Sequence, residues 1–305
     1  MISEEFTERE PKPTASLLNR DTIKLMRIPF SYFLTPVFFF ALSQADDISF
    51  RKSILCFLIL HLFIYPASNG YNSYMDNDEG SIGGLKNPPK PTKNLFYLCL
   101  LFDVIGLVLS LILGFQFFLS VSAYILASRA YSYKAIRLKK FPLVGFLTVV
   151  IFQGGFTFWM VYNAINNEPM LFNRPSALVL MACSFLIGGV YPLTQVYQHE
   201  ADKNSGDNSI SSVLGYNGTF IFTAIMFICA NILLFFYFRL TENDLSFLVF
   251  QFFLFPVVLY FLWWFIKVIR DKSEASFENT MNMNLMASTL LNCCFLVILI
   301  IKLIP

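Results

Sequence analysis

Apolar runs of about 20 residues, long enough for a helix to cross the hydrocarbon core of a bilayer, recur from residue 28 to the end of the chain. Roughly nine can be placed, over 28 to 45, 54 to 74, 94 to 113, 115 to 133, 142 to 164, 176 to 198, 216 to 238, 245 to 268 and 282 to 304. No other feature constrains the fold as much. Backbone that crosses lipid must satisfy its own hydrogen bonds, and helices do so within one segment. The fold class is therefore all-α, a polytopic membrane bundle. Only 14% of the 305 residues are charged, against about a quarter in soluble domains.

The charges then set an orientation, because basic residues accumulate in cytoplasmic loops. With the N-terminus in the cytoplasm, Arg9, Lys12, Arg20, Lys24 and Arg27 precede the first span, and Lys86, Lys90 and Lys93 follow the second. Arg129, Lys134, Arg137, Lys139 and Lys140 surround the fourth-to-fifth connection, and Lys203, Lys267, Arg270 and Lys272 share that side. Of 22 basic residues, only Arg51, Lys52, Arg174, Arg239 and Lys302 remain opposite. Residues 1 to 27 mix acids, bases and prolines without an apolar period and read as a cytosolic tail, unlike the short basic start of a cleavable signal peptide. All six cysteines fall inside apolar runs and none forms Cys-x-x-Cys, which argues against disulfides and zinc. A net charge of +2, spread over several loops, gives no reason to invoke nucleic acid.

The polar residues with chemistry to offer gather on the cytoplasmic side. Asn72 and Asp76 lie four apart at the end of the second run, on one face of a continuing helix, with Asp78 and Glu79 next. Oxygen ligands on one face suit a hard cation such as Mg2+. Gln198-His199-Glu200-Ala201-Asp202 repeats the pattern about half the chain later, and Asp207 follows. From Gly80 to Pro91, three glycines and three prolines break any helix and should fold the chain over the face on which Asp76 emerges.

A diphosphate ester suits this pairing of acids and bases, since Mg2+ bridges carboxylates to phosphate oxygens while Lys and Arg complete neutralisation. Lys86, Lys90, Lys134, Arg137, Lys139 and Arg27 are the bases on that side; Tyr71, Tyr74, Tyr131, Tyr191 and Tyr197 lie nearby, and aromatic faces stabilise a carbocation. Each feature has a plainer reading: acids as solvated helix ends, bases as topology determinants, tyrosines as an interfacial belt. Asp103 is the one acid well inside a run, a functional candidate by default or a neutral acid bonded to a neighbouring helix. His61 reads as an interior, hydrogen-bonded residue.

At these residues the chain resembles the UbiA superfamily of intramembrane prenyltransferases. The likeness rests on Asn72-x-x-x-Asp76 followed by Lys86 and Lys90-Pro91, and on Tyr131-Ser132-x-x-x-Ile136-Arg137-Leu138-Lys139-x-x-Pro142-Leu143-x-Gly145. It rests also on Asp202-x-x-x-Gly206-Asp207-x-Ser209 with Leu214-Gly215 after it, and spans residues 28 to 305. It implies nine transmembrane helices and Mg2+-dependent transfer of a prenyl group from a polyprenyl diphosphate to a small-molecule acceptor in the membrane, commonly aromatic, as in quinone and related lipid biosynthesis. It also implies Asp76 and Asp202 as the essential acids. Asn72, Asp76, Asp78 or Glu79, Gln198 and Asp202 would hold metal; Arg137, Lys139 and Lys134, with Lys86, Lys90, Arg27 and Tyr131, would meet the donor. No protein partner is implied.

Two departures matter. Gly80 stands where the first motif usually has a further aspartate, and Gln198 stands four residues before Asp202 in place of another. The rival they motivate is a bundle that binds or transports isoprenoid diphosphates without turnover. Less favoured are a secondary transporter with its site near the midplane and a cyclase acting on the isoprenoid itself.

Overall fold

The computed structural model describes residues 17–77, 80–199 and 208–304. Its framework is nine helical rods: α1 (Arg20–Gln44), α2 (Phe50–Asp76), α3 (Lys93–Leu113), α4 (Phe115–Ser132), α5 (Pro142–Ile165), α6 (Arg174–Gln198), α7 (Ile210–Leu240), α8 (Asp244–Arg270) and α9 (Phe277–Leu303). Among the described residues there is no strand, only the isolated bridges Ile48–Asn166 and Ile82–Leu85. Among the described residues, eight rods are long and apolar enough to span a membrane. The other, α4, has 18 residues but carries Gln116, Arg129 and the serines 120, 122, 128 and 132, which lower its hydropathy; Ser128, Arg129 and Ser132 have partners on other helices, as shown below.

The first rod begins earlier than its apolar run. Arg20–Leu25 is already helical, capped by the Asn19 side chain on the Thr22 amide, and Leu25 and Met26 are buried against α2 and α3. The helix therefore begins inside the stretch expected to be a tail through residue 27. Residues 1–16 of that stretch lie outside the described residues.

Successive rods pack side by side, and α9 returns against α1 to close a ring. Polar side chains fasten that closure: Tyr32 Oη lies 2.8 Å from Thr289 Oγ1, and Asn292 Nδ2 donates to Thr35 Oγ1 at 2.7 Å, as expected where lipid gives helices no hydrophobic reason to associate. The rods are not regular throughout. In α2 a π-segment, Ile59–Ile64, precedes Pro66, which can neither donate to nor clear the carbonyl four residues back. In α5 the π-segment Ile151–Gly155 holds Gly154 outside helical dihedrals, and the Gly155 amide is satisfied by Ser184 Oγ at 3.1 Å. Broken backbone at membrane depth is tolerated where it is buried in protein or lines a cavity. Phe152 and Gln153 do line one.

Candidate functional site

The ring encloses a cavity of about 700 Å3. Its mouth is polar, with Arg27, Asn72, Asp76, Ser81, Lys139 and Gln198; its floor is aromatic and aliphatic, with Phe40, Phe152, Leu186, Ile187, Leu291 and Phe295. Asp76 is the last residue of α2, and Asn77 ends the helix in a left-handed conformation (φ 53°). One turn back, Asn72 faces the same cavity, as the four-residue spacing predicts. Asn72 Oδ1 accepts from Ser132 Oγ at 2.7 Å, which ties α2 to the end of α4.

Two bases from the α4–α5 connection converge on Asp76. Lys139 Nζ is 2.5 Å from one carboxylate oxygen and Arg137 Nη2 is 3.8 Å from the other. The Asp76 side chain is 5% exposed and Lys139 15%, so this pair is largely withdrawn from solvent, where charge–charge interactions are strongest. Arg137 itself turns the chain in a left-handed conformation (φ 43°) before Leu138–Lys140. That turn lies on α5 at Gly145: a Cβ there would stand 2.9 Å from Lys139 Cα and 3.4 Å from the Leu138 carbonyl oxygen. The glycine thus sets the height at which Lys139 enters the cavity. Gly145→Ala should push that turn away from α5 and cost about 1–3 kcal/mol of stability by overpacking, readable as a lower thermal midpoint in detergent.

The stretch after Asp76 closes over the mouth, as its glycines and prolines predict. Arg27, in a left-handed conformation, donates to the Asn69 carbonyl at 2.8 Å and the Gly83 carbonyl at 3.3 Å. Gln198 Nε2 donates to the Ser81 carbonyl at 3.2 Å. Lys86 pairs with Glu278 at the start of α9. Arg27 and Gln198 therefore hold the loop as well as facing the cavity. Lys86 is placed elsewhere, on an exposed ion pair, and Lys90 and Lys134 are exposed and do not line the cavity. Tyr131 does line it, its hydroxyl 2.5 Å from that of Tyr191, a short bond that fixes both rings. Asp78, Glu79, Glu200, Asp202 and Asp207 lie outside the described residues.

The second motif still leaves a trace in what flanks it. Ser209 caps α7 through the Ser212 amide, and His199 Nε2 is 2.7 Å from Ser211 Oγ, which meets Thr219 Oγ1 at 3.0 Å. Gly215 breaks α7 at φ 67°, and Thr219 satisfies its carbonyl at 2.7 Å. These contacts tie the end of α6 to the start of α7 on either side of residues 200–207. Spacing gave no sign of the His199–Ser211–Thr219 link.

The donor set fits Mg2+. Among the described residues no cluster of three or more His, Cys, Asp or Glu exists that could hold a metal unaided. Mg2+ does not need one, since it is commonly held by one or two carboxylates, water and substrate phosphates. Asp76 Oδ1 and Gln195 Oε1 are buried oxygens without a hydrogen-bond partner, both residues line the cavity, and Asn72, Ser81 and Gln198 bring further side-chain oxygens to its lining.

Asp103, the intramembrane acid, is not in the cavity. It forms an ion pair with Arg129, whose guanidinium also sits 4.0 Å from the Tyr71 ring centroid and donates to the Ala67 carbonyl. Arg129 thus turns back into the bundle instead of joining the basic loop that follows it. His61 stacks on Phe57 at 4.2 Å and is likewise off the cavity lining.

Comparison with known proteins gives one concordant result. Structures of UbiA homologues from Archaeoglobus fulgidus bound to DMAPP and Mg2+ and from Aeropyrum pernix K1 in the apo state superpose with TM-scores of 0.65 and 0.66, each at 16% identity. They cover 92% and 89% of this chain and 99% and 98% of theirs. A digeranylgeranylglyceryl phosphate synthase structure matches at TM-score 0.57 and 16% identity, covering 92% of this chain and 96% of its own. No curated protein matches. At these identities the likeness establishes the fold. Residues 32–286 match the model of the UbiA prenyltransferase family, and the chain belongs to the UbiA prenyltransferase family.

Proposed function

We propose that the chain transfers a prenyl group from a polyprenyl diphosphate to a membrane-accessible acceptor, in a Mg2+-dependent reaction. The observation that carries this reading is Asp76 at the mouth of a cavity with an apolar floor, set between Lys139 and Arg137. Solved A. fulgidus homologues bound to DMAPP or GPP with Mg2+ support it. Asn72, Asp76 and Gln198, with Asp78 or Glu79 and Asp202, are the residues that would hold the ion. Mg2+, when bound, neutralises diphosphate oxygens and so lowers the cost of their departure.

The chain's own residues supply the rest. Lys139 and Arg137 add positive charge where the leaving group's negative charge develops, fixed in advance by Asp76 so that little reorganisation accompanies bond cleavage. The isoprenoid lies along the floor, away from water. The donor's C1–O bond breaks with its electron pair going to diphosphate, and Tyr131 and Tyr191, held by their mutual hydrogen bond, present ring faces to the allylic cation. The acceptor then forms the new bond to C1 and gives up a proton to the departing diphosphate. By the distribution of basic residues, the mouth faces the cytoplasm. An aromatic acceptor of the quinone-precursor kind is part of this reading.

Binding or transport without catalysis is the second reading, favoured by Gly80 on the cavity lining where a further carboxylate is usual. Purified protein incubated with allylic diphosphates of several lengths, Mg2+ and membrane lipid extract separates the two. Transfer predicts Mg2+-dependent diphosphate release and a labelled lipid product; tight donor binding without release would overturn it.

A further inference from the structure

Donor binding leaves a polar group on the α9 side of the cavity without a use. α9 presents Asn284, Ser288, Leu291 and Phe295 to it, spaced four, seven and eleven residues along one helical face. Asn284 is 4% exposed, and its Nδ2 has no hydrogen-bond partner. Asn292, on the same helix and 6% exposed, shows the contrast, since its amide is satisfied by Thr35. A buried amide left unsatisfied is costly, and a ligand entering the cavity can complete it. The isoprenoid cannot, because it is hydrocarbon. The diphosphate is drawn to Asp76 and Lys139, on α2 and the α4–α5 connection. Asn284 stands seven residues into α9, roughly 10 Å of helical rise inside the bundle from Phe277.

We propose that Asn284, with Ser288 one turn further in, is the polar contact for the acceptor and sets its specificity. Resting on the prenyl-transfer reading, it identifies the acceptor class: an apolar ring or chain whose hydroxyl or carbonyl oxygen accepts a hydrogen bond from Asn284 Nδ2. Phe295, two turns beyond Ser288 on this face and stacked on Phe40 at 4.4 Å, is part of the apolar wall against which that body would lie. The contact orients the nucleophile towards C1; the bond changes are those given above.

The test uses thermal unfolding of the full chain in detergent with Mg2+ and geranyl S-thiolodiphosphate, an inert donor. Naphthalene-1,4-diol should raise the Tm of the loaded protein, and naphthalene, the same ring without oxygen, should not. Asn284→Leu should weaken diol binding on the order of tenfold, the scale of one lost hydrogen bond, with thiolodiphosphate affinity unchanged. It should also leave the ligand-free protein as stable or more stable, because an unsatisfied amide is removed; a merely structural asparagine would show the reverse. Ser288→Ala, a minimal change, should weaken the diol by a smaller factor. Undiminished diol binding in both variants, or equal loss of diol and thiolodiphosphate binding, would overturn the proposal. Failure of the wild type to bind thiolodiphosphate would instead defeat the prenyl-transfer reading, while an Asn284-dependent diol shift would still stand.

Discussion

Asp76→Ala is expected to lower Mg2+-dependent diphosphate release about 100-fold or more, the scale on which pre-organised charge contributes to such steps. Asp76 does two things at once. Its carboxylate holds Lys139 at 2.5 Å and faces Arg137 at 3.8 Å, and its Oδ1 remains without a hydrogen-bond donor, which suits metal coordination. Removing it takes from Lys139 and Arg137 the carboxylate that positions them here, so the donor would bind to a site whose bases have moved apart and whose metal ligand is gone. Raising Mg2+ should not restore the rate. A fold defect is distinguishable: Asp76→Ala that keeps a cooperative unfolding transition in detergent while release stays absent has lost the site and not the fold. Release by Asp76→Ala at the wild-type rate would remove Asp76 from the site.

The part of this site that was legible in the sequence is the part built from local spacing. Asn72 and Asp76 share a face because four residues make about one turn, and the segment from Tyr131 to Gly145 folds as one unit in which the terminal glycine admits the Lys139 turn. The bases were harder to sort, because topology alone demands cytoplasmic positives: Lys139 and Arg137 reach Asp76, whereas Lys86 goes to Glu278, 192 residues away. Asn284 could not be singled out either. Polar residues spread round a helix carry no periodic signal of which face looks inward, and α9 holds Asn279, Asn282, Asn284, Ser288, Thr289 and Asn292. The nine-rod bundle itself was readable from apolar run lengths. The early start of α1 was not, since Leu25 and Met26 are buried by contacts with α2 and α3 that no local pattern encodes.

Asp103→Leu is expected to be among the most destabilising single substitutions in the bundle, by about 3–5 kcal/mol, because it strands the Arg129 guanidinium in an apolar setting. The side chains of the pair are 9% and 17% exposed, and Arg129 gathers α2 as well, through the Ala67 carbonyl and the Tyr71 ring. Sequence alone made Asp103 a functional candidate, as any intramembrane acid is. The structure places it behind the cavity wall, where Ser68 and Ser128, 2.5 Å apart, face the cavity on one side and the Asp103–Arg129 pocket on the other. A clamp and a catalytic acid respond differently to a double change. Replacing both partners with apolar residues, Asp103→Leu/Arg129→Met, eliminates the stranded charge and should return the Tm in detergent close to that of the wild type, since a buried ion pair contributes little net stability over hydrophobic residues of similar volume. Diphosphate release by that double variant should then stay within a few-fold of the wild type. If the double variant folds but loses release as completely as Asp76→Ala, the pair acts on the site itself, through Ser128 and the tyrosine one turn beyond it, and the clamp assignment fails.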